Sequence, residues 1–314
     1  MNRCLICCQP TADKSLYHPD CCTQLFDKPE PPQLPWTWDE LNSRAEKSIH
    51  NRIAVAGVQP KLSLHLDHSD KENSRLTIVG LEGGLIMKPP VKAYPEMPEL
   101  EHLVMQLAKL FSIQTAVSGL MPLESGELCY LTKRMDRAGK EKIHMEDMCQ
   151  ITGNMTAQKY RGGSMEKVAR MVLRHCSNSG LDAVRLFELT VFCFLTGNSD
   201  MHLKNFSLMH YSDGEIELSP AYDLLPTNLL LPEDKEESAL TISGKKNKIK
   251  WEDFNAWGID HLQLLPKQIE NVCSNFEEAI PKAIEFIPNS FVSFTNQKKM
   301  IELIADRSSR LGFA

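Results

Sequence analysis

The feature that most constrains the fold is a junction. Residues 186–197, "LFELTVFCFLTG", form an apolar run that stops at a glycine. Residues 198–207, "NSDMHLKNFS", follow at once and place an Asp, a His, a Lys and an Asn within six positions. An apolar strand-like run, "FSLMHY", comes next. The flanking runs read as core, a buried helix and then a strand. Polar groups this dense between two core elements are costly to bury unless they bind something. Any fold for this chain must present that loop where it can meet a ligand.

The remaining signals divide the 314 residues into a plan of two lobes. Residues 1–36 are a Cys/His-rich cap and a Pro-rich stretch, "DKPEPPQLPW", that reads as an extended linker. Thr37, with Glu40 three positions on, predicts a helix start. Residues 37–135 are strand-rich. "KLSLHL" alternates, "LTIVGLEGGLIMK" has a Gly pair between apolar runs (a hairpin or loop signal), and "VSGLMPLESGELCYLTKRM" reads as strand, Ser-Gly turn, strand. "PELEHLVMQLAKLF" switches to helical period inside this region. Residues 136–314 are mostly helical, with a hairpin at "FSLMHYSDGEIEL" and a tail broken by Pro266, Pro281 and Pro288. The expected class is α+β, a strand-rich N-lobe and a helical C-lobe. A nucleotide cleft is the default site of such a plan.

A net charge of −6 gives no whole-surface attraction to nucleic acid or anionic lipid, so neither direct nucleic-acid binding nor membrane association is expected. The basic run "SGKKNKIK" reads as a solvated hairpin. No window approaches 18 consecutive apolar residues, and Met1 is followed by "NRCLICC", not by a long apolar segment. The expected location is the cytoplasm, where thiols stay reduced. Of ten cysteines, Cys129, Cys149, Cys176, Cys193 and Cys273 are scattered and read as small core residues. The other five crowd the N-terminus. Cys4-x2-Cys7 and His18-x2-Cys21 offer three thiolates and an imidazole in two close pairs, the makings of a tetrahedral zinc site. The alternative is a metal-free cap held by packing.

The junction loop has a specific spacing. Asp200 and Asn205 stand five positions apart, as do the base and the magnesium ligand of a protein-kinase catalytic loop. Asp223, in "LSPAYDLL", supplies a second carboxylate after a short hairpin. Lys88, in "GLIMKPP", ends a strand where it could reach the α- and β-phosphates, and Glu99 or Glu101 could pair with it, Glu101 being preferred because it lies outside the apolar stripe. "AVAGVQPK" precedes them as a phosphate loop with a single Gly. His202 and Lys204 sit inside the catalytic loop, where they could contact phosphate or support the backbone. Each residue alone has an ordinary reading as a turn, a cap or a solvated strand end. Their joint order is what makes chance a poor explanation.

Together, "VAGVQPKLSL", "LIMKPP", "PELEHLVMQLA", "YLTKRMDR", "IHMEDMCQITG", "GNSDMHLKNFS" and "LSPAYDLL" resemble the HipA-type serine/threonine kinases of bacterial toxin–antitoxin modules. The resemblance implies ATP and Mg2+ as cofactors and Asp200 as the catalytic base. It implies Asn205 and Asp223 as magnesium ligands and Lys88 on the α-phosphate. Ala56, Gly57, Val58, Gln59 and Lys61 would cover the phosphates. Lys133, Arg134 and Met135 would form the hinge under adenine, with Asp136 as its buttress. It implies a protein substrate, an aminoacyl-tRNA synthetase such as the glutamyl or tryptophanyl enzyme, and restraint by antitoxins, a HipB-like DNA-binding protein and a HipS-like small subunit. Only residues 1–53 precede the phosphate loop, which resembles the short form of the family. Ala54 stands where relatives carry an autophosphorylated serine. A catalytically inactive nucleotide-binding scaffold of a repressor complex, or a small-molecule phosphotransferase, are the competing readings.

Overall fold

The computed structural model describes residues 2–12, 15–41, 43, 60–67, 74–79, 83–139 and 141–313. Ala54 and the phosphate-loop candidates Ala56, Gly57, Val58 and Gln59 lie outside the described residues. Two compact units are present. One comprises Met1–Leu103, Ala116–Arg134 and Asn289–Val292, and the other Val104–Thr115, Met135–Pro288 and Ser293–Ala314.

The first unit is built on an antiparallel sheet of β1 (Leu62–Asp67), β2 (Arg75–Val79), β3 (Leu85–Lys88), β4 (Ser118–Pro122) and β5 (Leu128–Lys133). Their order is β2-β1-β3-β5-β4. Alternation on β1 buries Leu62 and Leu64 and exposes His65. The Gly pair between β2 and β3 is a loop and not a hairpin, because β1 lies between those strands and pairs with both. Gly83 crosses β1 so closely that a Cβ there would lie 2.4 Å from the Leu64 carbonyl oxygen. The Ser-Gly turn between β4 and β5 is as predicted, with Gly126 at φ +100°.

The helix Met97–Leu110 follows, with Leu100, Leu103, Val104, Leu107 and Ala108 fully buried; the boundary between the units falls after Leu103. The cap carries the helix Pro19–Phe26 and joins the edge strand β4, where the Leu120 N–H donates to the Leu5 carbonyl at 2.8 Å. The Pro-rich stretch is extended but packed. Gln33 bridges to Arg75 of β2, and Leu34 and Trp36 are buried. At Thr37 the expected capping box is present, with the Thr37 N–H donating to Glu40 Oε2 at 2.9 Å.

The second unit is mainly helical, with Met165–His175, Ser179–Leu195, Trp251–Asp260, Pro266–Phe286 and Phe294–Leu311. Phe187, Phe192, Phe194, Phe254, Trp257 and Phe276 form its core. Pro281 does not break its helix. Its missing N–H leaves only the carbonyl of Glu277, on the exposed side, where water can satisfy it. Ser207–His210 is the middle strand of a small antiparallel sheet between Ile216–Leu218 and His144–Asp147. The basic run forms a tight turn with Ile242 bridged to Lys245, and two of its four lysines are in ion pairs, Lys245 with Asp253 at 2.7 Å and Lys246 with Glu236 at 3.1 Å. No helix among the described residues is long and apolar enough to cross a membrane.

Candidate active site

The junction loop is anchored from behind. The helix Ser179–Leu195 is capped by Thr196 and followed by Gly197, whose φ of +75° turns the chain out of the helical path. Arg307, 5% exposed, donates to the Phe194 carbonyl and to Asn228 Oδ1, and Asn228 returns its backbone N–H to the Gly197 carbonyl at 3.0 Å. The Ser199 N–H donates to Thr227 Oγ1 at 2.8 Å. These bonds satisfy the polar backbone where the helix stops, which is what allows a charged loop to sit against the core.

Within the loop, the Asp200 N–H donates to Asn198 Oδ1 at 3.1 Å. The Asp200 carbonyl accepts from the His202 N–H at 2.8 Å and from Asn205 Nδ2 at 3.1 Å. Asn205 is thus tied to the backbone of the residue five positions before it. With its amide nitrogen spent there, its Oδ1 is the atom left for a cation. The Asp200 carboxylate accepts a 2.5 Å hydrogen bond from the Tyr160 hydroxyl. The carboxylates of Asp200 and Asp223, together with burial, push the Tyr160 phenol up from its usual value, burial being the largest cause. Both carboxylates are also felt at His202, whose pKa is lowered because burial outweighs their pull. Asp200 and Asp223 therefore act on the same two side chains. Asp223 has φ +59°, a left-handed conformation that Asp tolerates better than most residues.

His202 is buried, its ring edge-on to Tyr160 at 5.0 Å. Lys204 is salt-bridged to Asp147, whose side chain also caps the short helix Met148–Ile151. The Tyr222 hydroxyl donates to the Lys204 carbonyl at 2.8 Å and lies 2.7 Å from Ser207 Oγ. Asn205 and Asp223 offer hard oxygen donors of the kind magnesium prefers, so the residues present fit that ion.

In the first unit, Lys88 Nζ donates to Glu101 Oε1 at 2.5 Å, with the side chains only 4% and 1% exposed. This settles the choice between the two glutamates. Lys88 also lies 5.4 Å from the centre of the Tyr130 ring. Glu99 is not in the pair, and burial pushes its carboxyl up to about 7. Lys61, at the start of β1, is exposed. Lys133 pairs through its side chain with Asp27 at 2.6 Å. The backbone N–H groups of Lys133 and Arg134 donate to the Val117 and Gly84 carbonyls, so neither is available to a purine. Met135 follows as the first residue of its stretch in the second unit, and Asp136 pairs with Arg137 at 2.7 Å.

Tyr160, Asp147 and Tyr222 are site residues that sequence reasoning missed. Asp147 had a signal, since Asp147 and Gln150 are spaced as a capping box. Tyr160 had none. In the cap, the ligand atoms of Cys4, Cys7, His18 and Cys21 all lie within 4.8 Å of one another.

Fold and loop together define a bilobal, kinase-type α+β protein. Residues 53–284 match the model of the HipA-like C-terminal domain, and the chain belongs to that family. A Sinorhizobium fredii protein named "Putative kinase Y4dM" is 35% identical over 209 residues, covering 62% of this chain and 50% of that protein. The serine/threonine-protein kinase toxin HipA of Shewanella oneidensis is 29% identical over 201 residues, covering 57% of this chain and 44% of the toxin. The match thus spans about half the length of these curated relatives. Among solved structures, Shewanella oneidensis HipA in complex with HipB and operator DNA superposes with a TM-score of 0.68 at 22% identity, covering 91% of this chain and 73% of that one. The Helicobacter pylori proinflammatory kinase CtkA gives a TM-score of 0.53 at 15% identity, covering 72% and 87%.

Proposed function

We propose that this chain is an ATP-dependent protein serine/threonine kinase acting as the toxin of a toxin–antitoxin pair. The observation that carries the reading is the loop itself. Asn205 holds the Asp200 carbonyl, and the Asp200 carboxylate already accepts a hydroxyl, that of Tyr160. A carboxylate built to accept a hydroxyl proton is what a general base at this position requires. In the reaction, the substrate's hydroxyl oxygen bonds to the γ-phosphorus as the bond to the β–γ bridging oxygen breaks. The proton passes to Asp200 and ADP leaves.

Asn205 and Asp223 are assigned to magnesium, which when bound neutralises charge on the phosphates. Lys88, oriented by Glu101, is assigned to the α-phosphate, and Lys204, anchored by Asp147, to the loop's own support. The substrate class is a protein, with an aminoacyl-tRNA synthetase as the expected target. A HipB-like DNA-binding antitoxin and a HipS-like small subunit are the expected partners, in keeping with the HipB-bound state of the Shewanella relative. Incubation with labelled ATP and cell extract tests the reading. Label in one extract protein supports it; label in a small molecule, or none, points to a phosphotransferase of another class or to a scaffold.

A further inference from the structure

The N-terminal cap is short and carries little regular structure. Its one regular element among the described residues is the helix Pro19–Phe26, of 8 residues. Segments of this size usually need a staple in addition to their apolar contacts. We propose that the staple is a single zinc ion bound by Cys4, Cys7, His18 and Cys21.

The geometry is that of a zinc site. A tetrahedral centre with the usual bond lengths places sulfur and nitrogen ligands roughly 3.6 Å apart and two sulfurs roughly 3.8 Å apart. Here Cys7 Sγ lies 3.3 Å and Cys21 Sγ 3.9 Å from His18 Nδ1, and all four ligand atoms lie within 4.8 Å of one another. The turn carrying the first pair is a closed knuckle. The Cys8 N–H donates to the Cys4 carbonyl at 2.9 Å, the Cys4 N–H to the Gln9 carbonyl at 2.9 Å, and Cys8 has φ +62°. The second pair opens the helix Pro19–Phe26, His18 being its N-cap, so the i, i+3 spacing brings both side chains to one face.

The histidine supplies an independent observation. His18 Nε2 lies 3.0 Å from the Pro10 carbonyl oxygen, which can only accept, so Nε2 carries the proton. Nδ1 then presents its lone pair to the sulfurs. A ring N–H held by a backbone carbonyl is how metal-bound imidazoles are oriented. Cys8 and Cys22, both fully buried, lie outside the ligand set, and Cys8 Sγ lies 3.9 Å from His102 Nδ1.

The staple fixes a contact of consequence. His102 Nε2 donates to the Ile6 carbonyl at 3.0 Å, between the two ligands of the first pair. His102 is fully buried and adjoins Glu101, the partner of Lys88. Gly119 of β4 meets the same segment, and a Cβ there would lie 2.6 Å from Ile6 Cγ1. The zinc holds the cap against the helix that carries Glu101.

The test is elemental analysis of the full chain purified without chelator, beside Cys7→Ser, Cys21→Ser and, as control, Cys273→Ser. About one zinc per chain is expected in the parent and in the control, and at least a tenfold loss in the two ligand variants. Because those variants risk misfolding, the chelated parent is also titrated with cobalt. A tetrahedral cobalt–thiolate spectrum saturating at about one equivalent is expected, with a rise in melting temperature. Metal-free parent protein that takes up no cobalt would overturn the proposal, as would zinc retained by both ligand variants.

Discussion

The hydroxyl of Tyr160 donates a 2.5 Å hydrogen bond to Oδ1 of Asp200. Tyr160 sits in a segment between helices, and its ring also packs edge-on against His202 at 5.0 Å. One side chain therefore contacts both Asp200 and His202. A hydrogen bond to a charged group is worth about 1.5–3 kcal/mol. Tyr160→Phe is expected to lower kcat about tenfold while leaving the KM for ATP within about twofold, because the phenol touches the base and not the phosphate ligands. Steady-state kinetics in both substrates check the split; a rise confined to the KM for ATP would place Tyr160 elsewhere.

The Lys88–Glu101 pair makes a second expectation. Both side chains are almost wholly excluded from water, so removing either takes the ion-pair partner from a charge that stays buried. Such losses cost about 3–5 kcal/mol, whereas apolar replacement of both partners is often neutral. Glu101→Gln and Lys88→Met should each destabilise the fold in urea by that order. The double variant Lys88→Met/Glu101→Leu should recover most of the loss. Additive losses would show that the pair is not coupled.

Glu99 gives a pH dependence whose sign follows from burial. Its carboxyl is raised from 4.5 to about 7 in the folded chain, because the charged form is desolvated. A raised folded pKa means that the folded state binds the proton more tightly than the unfolded state. The contribution is complete below about 4.5 and is lost as pH rises through about 7. Glu99→Gln should flatten the stability profile across that window, measured by denaturation at a series of pH values. An unchanged slope would assign the dependence to other groups.

The strands, the inserted helix and the order of the polar residues were legible in the sequence because each is a local pattern. Period-two burial on β1 and the 3.6 period of "PELEHLVMQLAKLF" follow directly from side-chain direction. The pairing of β1 between β2 and β3 was not legible, because strand partnership is non-local and the Gly pair signals a turn whatever the strands then do. The strand His144–Asp147 was missed for a related reason. It is half-exposed, short, and ordered by its partner Ser207–His210. At the site, Asp200 and Asn205 were marked by spacing, whereas the helix pattern hardly separated Glu101 from Glu99, and only the fold pairs Glu101 with Lys88. Tyr160 reaches Asp200 across 40 residues, a closeness that only the fold creates.

Asp223 is assigned to the cation and not to proton transfer. Asp223→Ala removes a carboxylate from a hard ion that prefers oxygen ligands. The variant should lose the magnesium-dependent part of the thermal shift produced by ATP, with little change in the shift without magnesium. A full magnesium-dependent shift would remove Asp223 from the site.

The most direct measurement is phosphoryl transfer by Asp200→Asn. The substitution keeps the size of the side chain and its acceptance of the Tyr160 hydroxyl, and it removes the base. With labelled ATP and extract protein, transfer is expected to fall about 10²–10⁴-fold while ATP affinity stays within a few-fold of the parent. Transfer at the parental rate would contradict the assignment of Asp200 and with it the kinase reading of the loop.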